Sequence, residues 1–144
     1  MARVQATNWR PRASALGSYA EFDLTGGLGR GKVAMVDLCD VEAILKSTWH
    51  VGTPGYPECT RRPILWRLHR FVLMECMGVE IPKGYHVDHI NRDKLDNRRA
   101  NLRVGTLGQN LFNQKQLRPG IPPGVSWMPK HNKWQTYINV AGKR

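Results

Sequence analysis

The residues of this chain whose types and spacing could do chemistry lie in one stretch. It runs Tyr85-His-Val-Asp-His-Ile-Asn91 and, after a polar loop, Asn101-Leu-Arg-Val-Gly-Thr-Leu-Gly-Gln-Asn110-Leu-Phe-Asn113. Asp88 offers a carboxylate and Asn110 a neutral amide oxygen. These are hard ligands suited to one Mg2+ or Mn2+ ion, which keeps several waters and takes the rest of its shell from substrate phosphate. His89 is the side chain best fitted to act as general base near neutral pH, and a neighbouring cation helps to keep it unprotonated. Together these are the parts that phosphodiester hydrolysis requires.

The elements that must position them follow from pattern. Tyr85 to Ile90 has strand character, residues 91–100 form a polar loop, and Leu102 to Thr106 is a returning strand. Thr106-Leu-Gly-Gln109 is a capping box that opens a helix, with Asn110 and Asn113 on one face and Leu111 and Phe112 turned away. Neighbouring strand residues point to opposite faces, so Asp88 and His89 can share a site only where the strand twists, bulges or ends. An irregularity is expected near His89. Upstream, Leu68 to Met77 follows helical spacing, with Gly78 placed to stop it, and should pack beneath the site.

Asp88-His89, Asn101 and Asn110 at this spacing resemble the ββα-metal site of the HNH endonucleases, in the variant whose last His is replaced by Asn. The resemblance extends to Gly31-Lys-Val-Ala-Met-Val-Asp37, Trp49, Leu68-His-Arg70, Val87-Asp-His-Ile-Asn91 and Leu95-Asp-Asn-Arg98, which are similar to phage-borne HNH homing endonucleases. It covers most of residues 24–140. It implies that Asp88 and Asn110 are metal ligands, His89 the general base, and Asn101 the residue that pins the loop and orients His89. Asn97 and Asn113 would support them. It further implies products with a 5′-phosphate and a 3′-hydroxyl. A single Asn or His in such a loop is more often a turn residue, but four at matching spacing in a basic chain outweigh that reading.

The charge agrees. Twenty-two Lys and Arg against 11 Asp and Glu give +11 over 144 residues, a field that favours polyanions. Double-stranded DNA is the expected partner, and RNA fits the charge equally well. Arg92, Lys94, Arg98, Arg99 and Arg103 would contact phosphate, while Arg61, Arg62, Arg67 and Arg70 are either a phosphate-facing patch or a solvated face. A monomer would nick one strand, and a homodimer could cut both. A non-catalytic DNA-binding protein, a decayed nuclease or repressor, is the alternative. No apolar run suits a membrane span or signal peptide. The chain is expected to be soluble and cytoplasmic, in a bacterial host if phage-encoded. Cys39, Cys59 and Cys76 have no metal-binding or disulfide spacing and are expected to be reduced.

The whole is read as α+β, with small β-hairpins and short helices around a ββα-metal module. Residues 1–83 are a β-rich scaffold, 84–118 the nuclease module, and 119–144 a linker and C-terminal hairpin. Residues 1–20 show no periodicity and are either a basic arm or a frayed end. Residues 21–37 read as a hairpin around a glycine loop that narrowly misses a phosphate-binding motif, since Val33 stands where Ser or Thr is needed. Asp40 is a candidate N-cap for a helix to Lys46. Arg61 to Trp66 is an edge strand containing Pro63. His50, His86 and His131 read as surface residues, and His69 as a packing residue. Val125 to Trp127 and Trp134 to Val140 form a hairpin with Trp134, Thr136, Ile138 and Val140 on one face. It resembles the opening of the plant ethylene-response-factor DNA-binding domain, without its third strand and helix. Lys130, Lys133, Lys143 and Arg144 could grip DNA there, or the hairpin could serve as cover.

Overall fold

The computed structural model describes residues 8–14, 17–113 and 125–136. Arg3, the 120–124 linker, Tyr137, Ile138, Val140, Lys143 and Arg144 lie outside them. The architecture is α+β: three-stranded antiparallel sheets, two-stranded hairpins and short helices.

Three strands open the chain, β1 (Trp9–Ser14), β2 (Gly17–Asp23) and β3 (Val33–Asp37), in the order β1-β2-β3. The frayed-end alternative fails for Trp9–Ser14. Its lack of periodicity fits an edge strand with one apolar neighbour, tied by Arg10 to Asp23 and by Arg12 to Glu21. The glycine loop feeds β3 rather than a helix, which removes the phosphate-loop reading.

A 3-10 turn, Leu38–Asp40, leads into α1 (Val41–Leu45). Asp40 precedes α1 but makes no capping bond, because its buried carboxylate receives the Arg99 guanidinium instead. Next come β4 (His50–Val51), β5 (Pro57–Arg61) and β6 (Ile64–Arg67), in the order β4-β5-β6. Pro63 sits in the turn between β5 and β6 and not inside an edge strand. A proline has no N–H to give a ladder, and a turn asks for none.

Helix α2 (Leu68–Phe71) runs on as a π-helical turn, Val72–Cys76, and Gly78 stops it with φ of +67°. That left-handed backbone is open to glycine without steric cost. Leu68, Phe71, Val72 and Leu73 turn inward to meet Ala20, Phe22, Ala34, Val36, Ile44 and Trp49, and the same cluster includes Val87 and Leu102. One core therefore lies under both the N-terminal sheet and the candidate site.

That site is carried by β7 (Tyr85–His89), β8 (Leu102–Thr106) and α3 (Leu107–Asn113). The capping box is formed: the Gln109 N–H donates to Thr106 Oγ1 at 3.3 Å, and the Thr106 N–H donates to Gln109 Oε1 at 2.9 Å. A further hairpin, β9 (Val125–Met128) and β10 (Lys133–Thr136), pairs Trp127 with Trp134. No helix among the described residues is long and apolar enough to cross a membrane.

Candidate active site

Strand β7 keeps regular antiparallel register with β8 up to its last residue, His89 opposite Leu102 and Asp88 opposite Arg103. Of the expected irregularities, a twist, a bulge or an end, the strand shows the last: it stops at His89. The parity rule therefore holds, and the two side chains leave on opposite faces. Val87 and His89 are buried on the α2 side, while Asp88 faces Arg103 and α3.

The polar loop between the strands accounts for nearly all its own hydrogen-bonding groups. Asn101 Oδ1 accepts the Asn91 N–H at 2.9 Å, and Asn101 Nδ2 donates to Asn91 Oδ1 at 2.9 Å and to the Asp96 carbonyl at 2.7 Å. Asp96, also buried, accepts from Asn91 Nδ2 at 2.8 Å and from the Arg98 guanidinium at 2.7 Å through each oxygen. Burial works to raise the Asp96 pKa, but the Arg98 and Asn91 hydrogen bonds hold it below the usual carboxylate value. The loop is also laced to β3: the Met35 N–H donates to the Leu95 carbonyl and the Asn97 N–H to the Met35 carbonyl, both at 2.8 Å. With so few backbone groups left to water, the loop is a rigid part of the fold.

His89 sits in this frame with one nitrogen committed. Its Nε2 lies 3.1 Å from Asn97 Oδ1, and Asn97 Nδ2 donates to the Lys94 carbonyl at 3.1 Å. The second bond fixes which end of the amide faces the ring. An amide oxygen only accepts, so Nε2 carries the proton and Nδ1 keeps the basic lone pair. Burial pushes the His89 pKa below its ordinary value, while the Asn97 bond and the Asp88 charge oppose the shift. The imidazole is thus held neutral and able to take a proton.

Two residues beside His89 carried little signal in the sequence. The His69 ring stands edge-on at 5.1 Å and the Tyr56 ring lies 6.0 Å away. His69 belongs to the Leu-His-Arg run and is buried as a packing residue, but Tyr56 comes from a Gly/Pro turn whose composition says nothing of a site. His69 Nδ1 is buried with no partner among the described residues. Burial first, and then the neighbouring His89, push His69 down to about 3.

A native histidine that refuses a proton loses stability when the unfolded chain accepts one. The His69 contribution is intact above about pH 6.5 and falls away as pH drops toward 3. Urea unfolding at pH 7.5 and pH 5 should show His69→Gln losing about 2 kcal/mol less than wild type on acidification. Equal losses would mean that His69 is protonated in the fold.

On the other face, Asp88 Oδ2 accepts from Arg103 Nε at 3.0 Å, Arg103 Nη2 at 2.7 Å and Asn113 Nδ2 at 2.9 Å. Asn113 Nδ2 also donates to the His89 carbonyl at 2.8 Å. Asn110, one turn earlier on α3, is half-buried. Among the described residues no three His, Cys, Asp or Glu side chains cluster as a metal site. One carboxylate with amide oxygens nevertheless fits a hard cation that keeps most of its water. Asn113 meets Asp88 through its nitrogen, which cannot ligate a cation, and this leaves the amide oxygen of Asn110 as the candidate second ligand.

The arginines divide sharply. Arg61 is used inside the fold, donating to Ser47 Oγ at 2.6 Å and the Ala43 carbonyl at 3.0 Å, with its guanidinium 4.3 Å over Phe71. Arg98 is held by Asp96 and lies over Tyr19, while Arg99 is held by Asp40 with its N–H on Asp37. Arg67 and Lys94 both lean over Tyr56, at 5.1 and 4.7 Å from its ring. Arg62, Arg92, Lys130 and Lys133 are exposed, and Arg70 is half-buried on α2. His50 Nε2 lies 3.7 Å from Glu58 Oε1, and His86 and His131 are exposed. All three cysteines are free thiols.

Comparison with known proteins places this geometry in context. Residues 67–111 match the family model of the HNH endonucleases, a span containing α2, both strands of the site, Asp88, His89, Asn97, Asn101 and Asn110. An uncharacterized HNH endonuclease of Acanthamoeba polyphaga mimivirus is 38% identical over 88 residues, 61% of this chain and 46% of that protein. Protein 3.8 of Escherichia phage T7 is 32% identical over 72 residues, 49% of this chain and 60% of its own length. The chain thus spans about half the length of the curated relatives it matches. No solved structure is significantly similar to it.

Proposed function

We propose that the chain is a metal-dependent DNA endonuclease of the HNH homing type, in which His89 takes a proton from the attacking water. The observation that carries this is a buried histidine at the end of β7 whose Nε2 is seated on the Asn97 amide, one residue after a carboxylate held from α3. Nδ1 of His89 is the atom that accepts the proton. Asn97 sets the ring, and Asn101 holds the turn that follows it. Asp88 and Asn110 would hold one Mg2+ or Mn2+, which when bound stabilises charge developing on the leaving oxygen. Because Asp88 and His89 leave opposite faces of β7, the scissile phosphate must meet them across the open end of the strand.

In this reading residues 84–118 carry the chemistry and residues 1–83 the scaffold and part of the DNA contact. The exposed Arg62, Arg92, Lys130 and Lys133 touch phosphate, and the C-terminal hairpin contacts duplex. The monomer nicks, leaving a 5′-phosphate and a 3′-hydroxyl, in the cytoplasm of a bacterial host.

Supercoiled plasmid incubated with Mg2+ or Mn2+, with and without chelator, tests this. Chelator-sensitive conversion to open circles is expected, and Asn110→Ala should lower turnover at least tenfold while leaving salt-dependent DNA affinity within about twofold. An intact plasmid across several metals and DNA sequences, with a plain gel shift, would make the chain a DNA-binding protein instead.

A further inference from the structure

Arg103 stands opposite Asp88 in the β7–β8 ladder and places two guanidinium nitrogens on Asp88 Oδ2, at 3.0 and 2.7 Å. Resting on the metal site described above, we propose that Arg103 is a latch that couples metal loading at Asp88 to engagement of nucleic acid. Three observations carry it. All three hydrogen bonds to the Asp88 carboxylate fall on Oδ2, two of them from Arg103, and no described residue donates to Oδ1. The two partners differ in exposure: the Asp88 side chain is 11% exposed and that of Arg103 43%. Finally, Arg98 and Arg99 of the same hairpin are held by the carboxylates of Asp96 and Asp40, both almost wholly buried, whereas Arg92 is exposed.

The consequences follow from charge. A guanidinium on Asp88 neutralises the one carboxylate available to a divalent ion and sets a like charge beside it, so the free protein loads metal poorly. An incoming phosphate offers the same planar fork a better-charged partner from the solvent side. Arg103 then swings to the phosphate, and Asp88 regains its full charge where the cation must bind. Coupling of this kind is reciprocal: nucleic acid raises metal affinity and metal raises nucleic-acid affinity by the same factor. The device keeps the ion off the protein until a substrate is present.

Mn2+ binding followed by the loss of the free-ion paramagnetic resonance signal tests this without any turnover. In the full-length chain without DNA, Arg103→Gln should bind Mn2+ about tenfold more tightly than wild type. Arg103→Lys, which keeps a charge but loses the fork, should fall between them. A second pair of full-length proteins carries His89→Ala so that a 20-base-pair duplex (about two helical turns) stays intact. There, duplex should tighten Mn2+ binding about tenfold when Arg103 is present and leave it unchanged in Arg103→Gln. Thermal unfolding of each variant near that of its parent supports reading these shifts as local. Mn2+ binding that is equal or weaker in Arg103→Gln would overturn the latch and make Arg103 a support for the ligand. So would duplex-induced tightening that survives the substitution. Asp88→Asn separates the two levels: if it binds Mn2+ as wild type does, Asp88 is not the ligand, and the metal-site reading falls together with the latch.

Discussion

His89→Ala is expected to lower plasmid nicking by about 10²- to 10⁴-fold, the range that a positioned general base contributes. The magnitude follows from how fully the ring is prepared. Nε2 is spent on Asn97, burial keeps the imidazole neutral, and the loop that holds Asn97 is tied to β3 at Met35. The neighbouring imidazole, His69 on α2, stands edge-on to His89 and is pushed down to about 3 by burial, which makes it a poor substitute base. DNA affinity in a gel shift should change by less than about threefold, since the ring is buried and carries no charge. The Ala variant also opens a cavity beside His69 and Tyr56, so His89→Gln, which refills most of that volume, should be tested beside it. If either variant retains more than a tenth of wild-type nicking, proton transfer belongs to another group.

Much of this site is visible in the sequence because its order is local. A strand ending in Asp88-His89, a polar loop, a returning strand and a capped helix all obey short-range rules of periodicity and capping. Asn101 stands out because a loop this polar needs an internal donor and acceptor to close it, and its amide serves as both. The misread features depend on partners far along the chain. Asp40 looks like a helix cap until Arg99, fifty-nine residues later, takes its carboxylate. Trp9–Ser14 has no pattern of its own and becomes a strand by pairing with β2. Arginines pose the same difficulty. Composition gives the field, but a basic residue bound to a buried carboxylate looks the same in sequence as one reaching for phosphate. Arg98 and Arg99 illustrate the first case, and the exposed Arg62 and Arg92 are free for the second. The irregularity expected near His89 follows from the need to bring two neighbouring side chains to one site. The strand ends at His89 without a lost ladder bond, and the two side chains flank that end from opposite faces.

Arg99→Ala should destabilise the fold by about 3 kcal/mol, at the lower end of what breaking a buried ion pair costs. Asp40 is 1% exposed and its carboxylate meets Arg99 through both oxygens, whereas the guanidinium is partly open to water. Removing the arginine leaves an uncompensated charge inside the core, so this variant is the costlier half of the pair. Urea unfolding should show it, with Arg12→Ala as a contrast: that partner of Glu21 is half exposed and should cost under about 1 kcal/mol. The double variant Asp40→Leu/Arg99→Met should regain most of the loss, because apolar groups of similar volume need no partner. A loss under about 1 kcal/mol in Arg99→Ala would mean that water or protonation relieves Asp40. The pair also bears on activity. Arg99 begins the short turn that delivers Asn101, and its own N–H is held at 2.6 Å by Asp37 at the end of β3. Loosening that clamp frees the loop that seats Asn97 and Asn101, so nicking by Arg99→Ala should fail at a lower temperature than global unfolding. The N-terminal sheet would then act on the chemistry through the rigidity of one loop, without touching the substrate there.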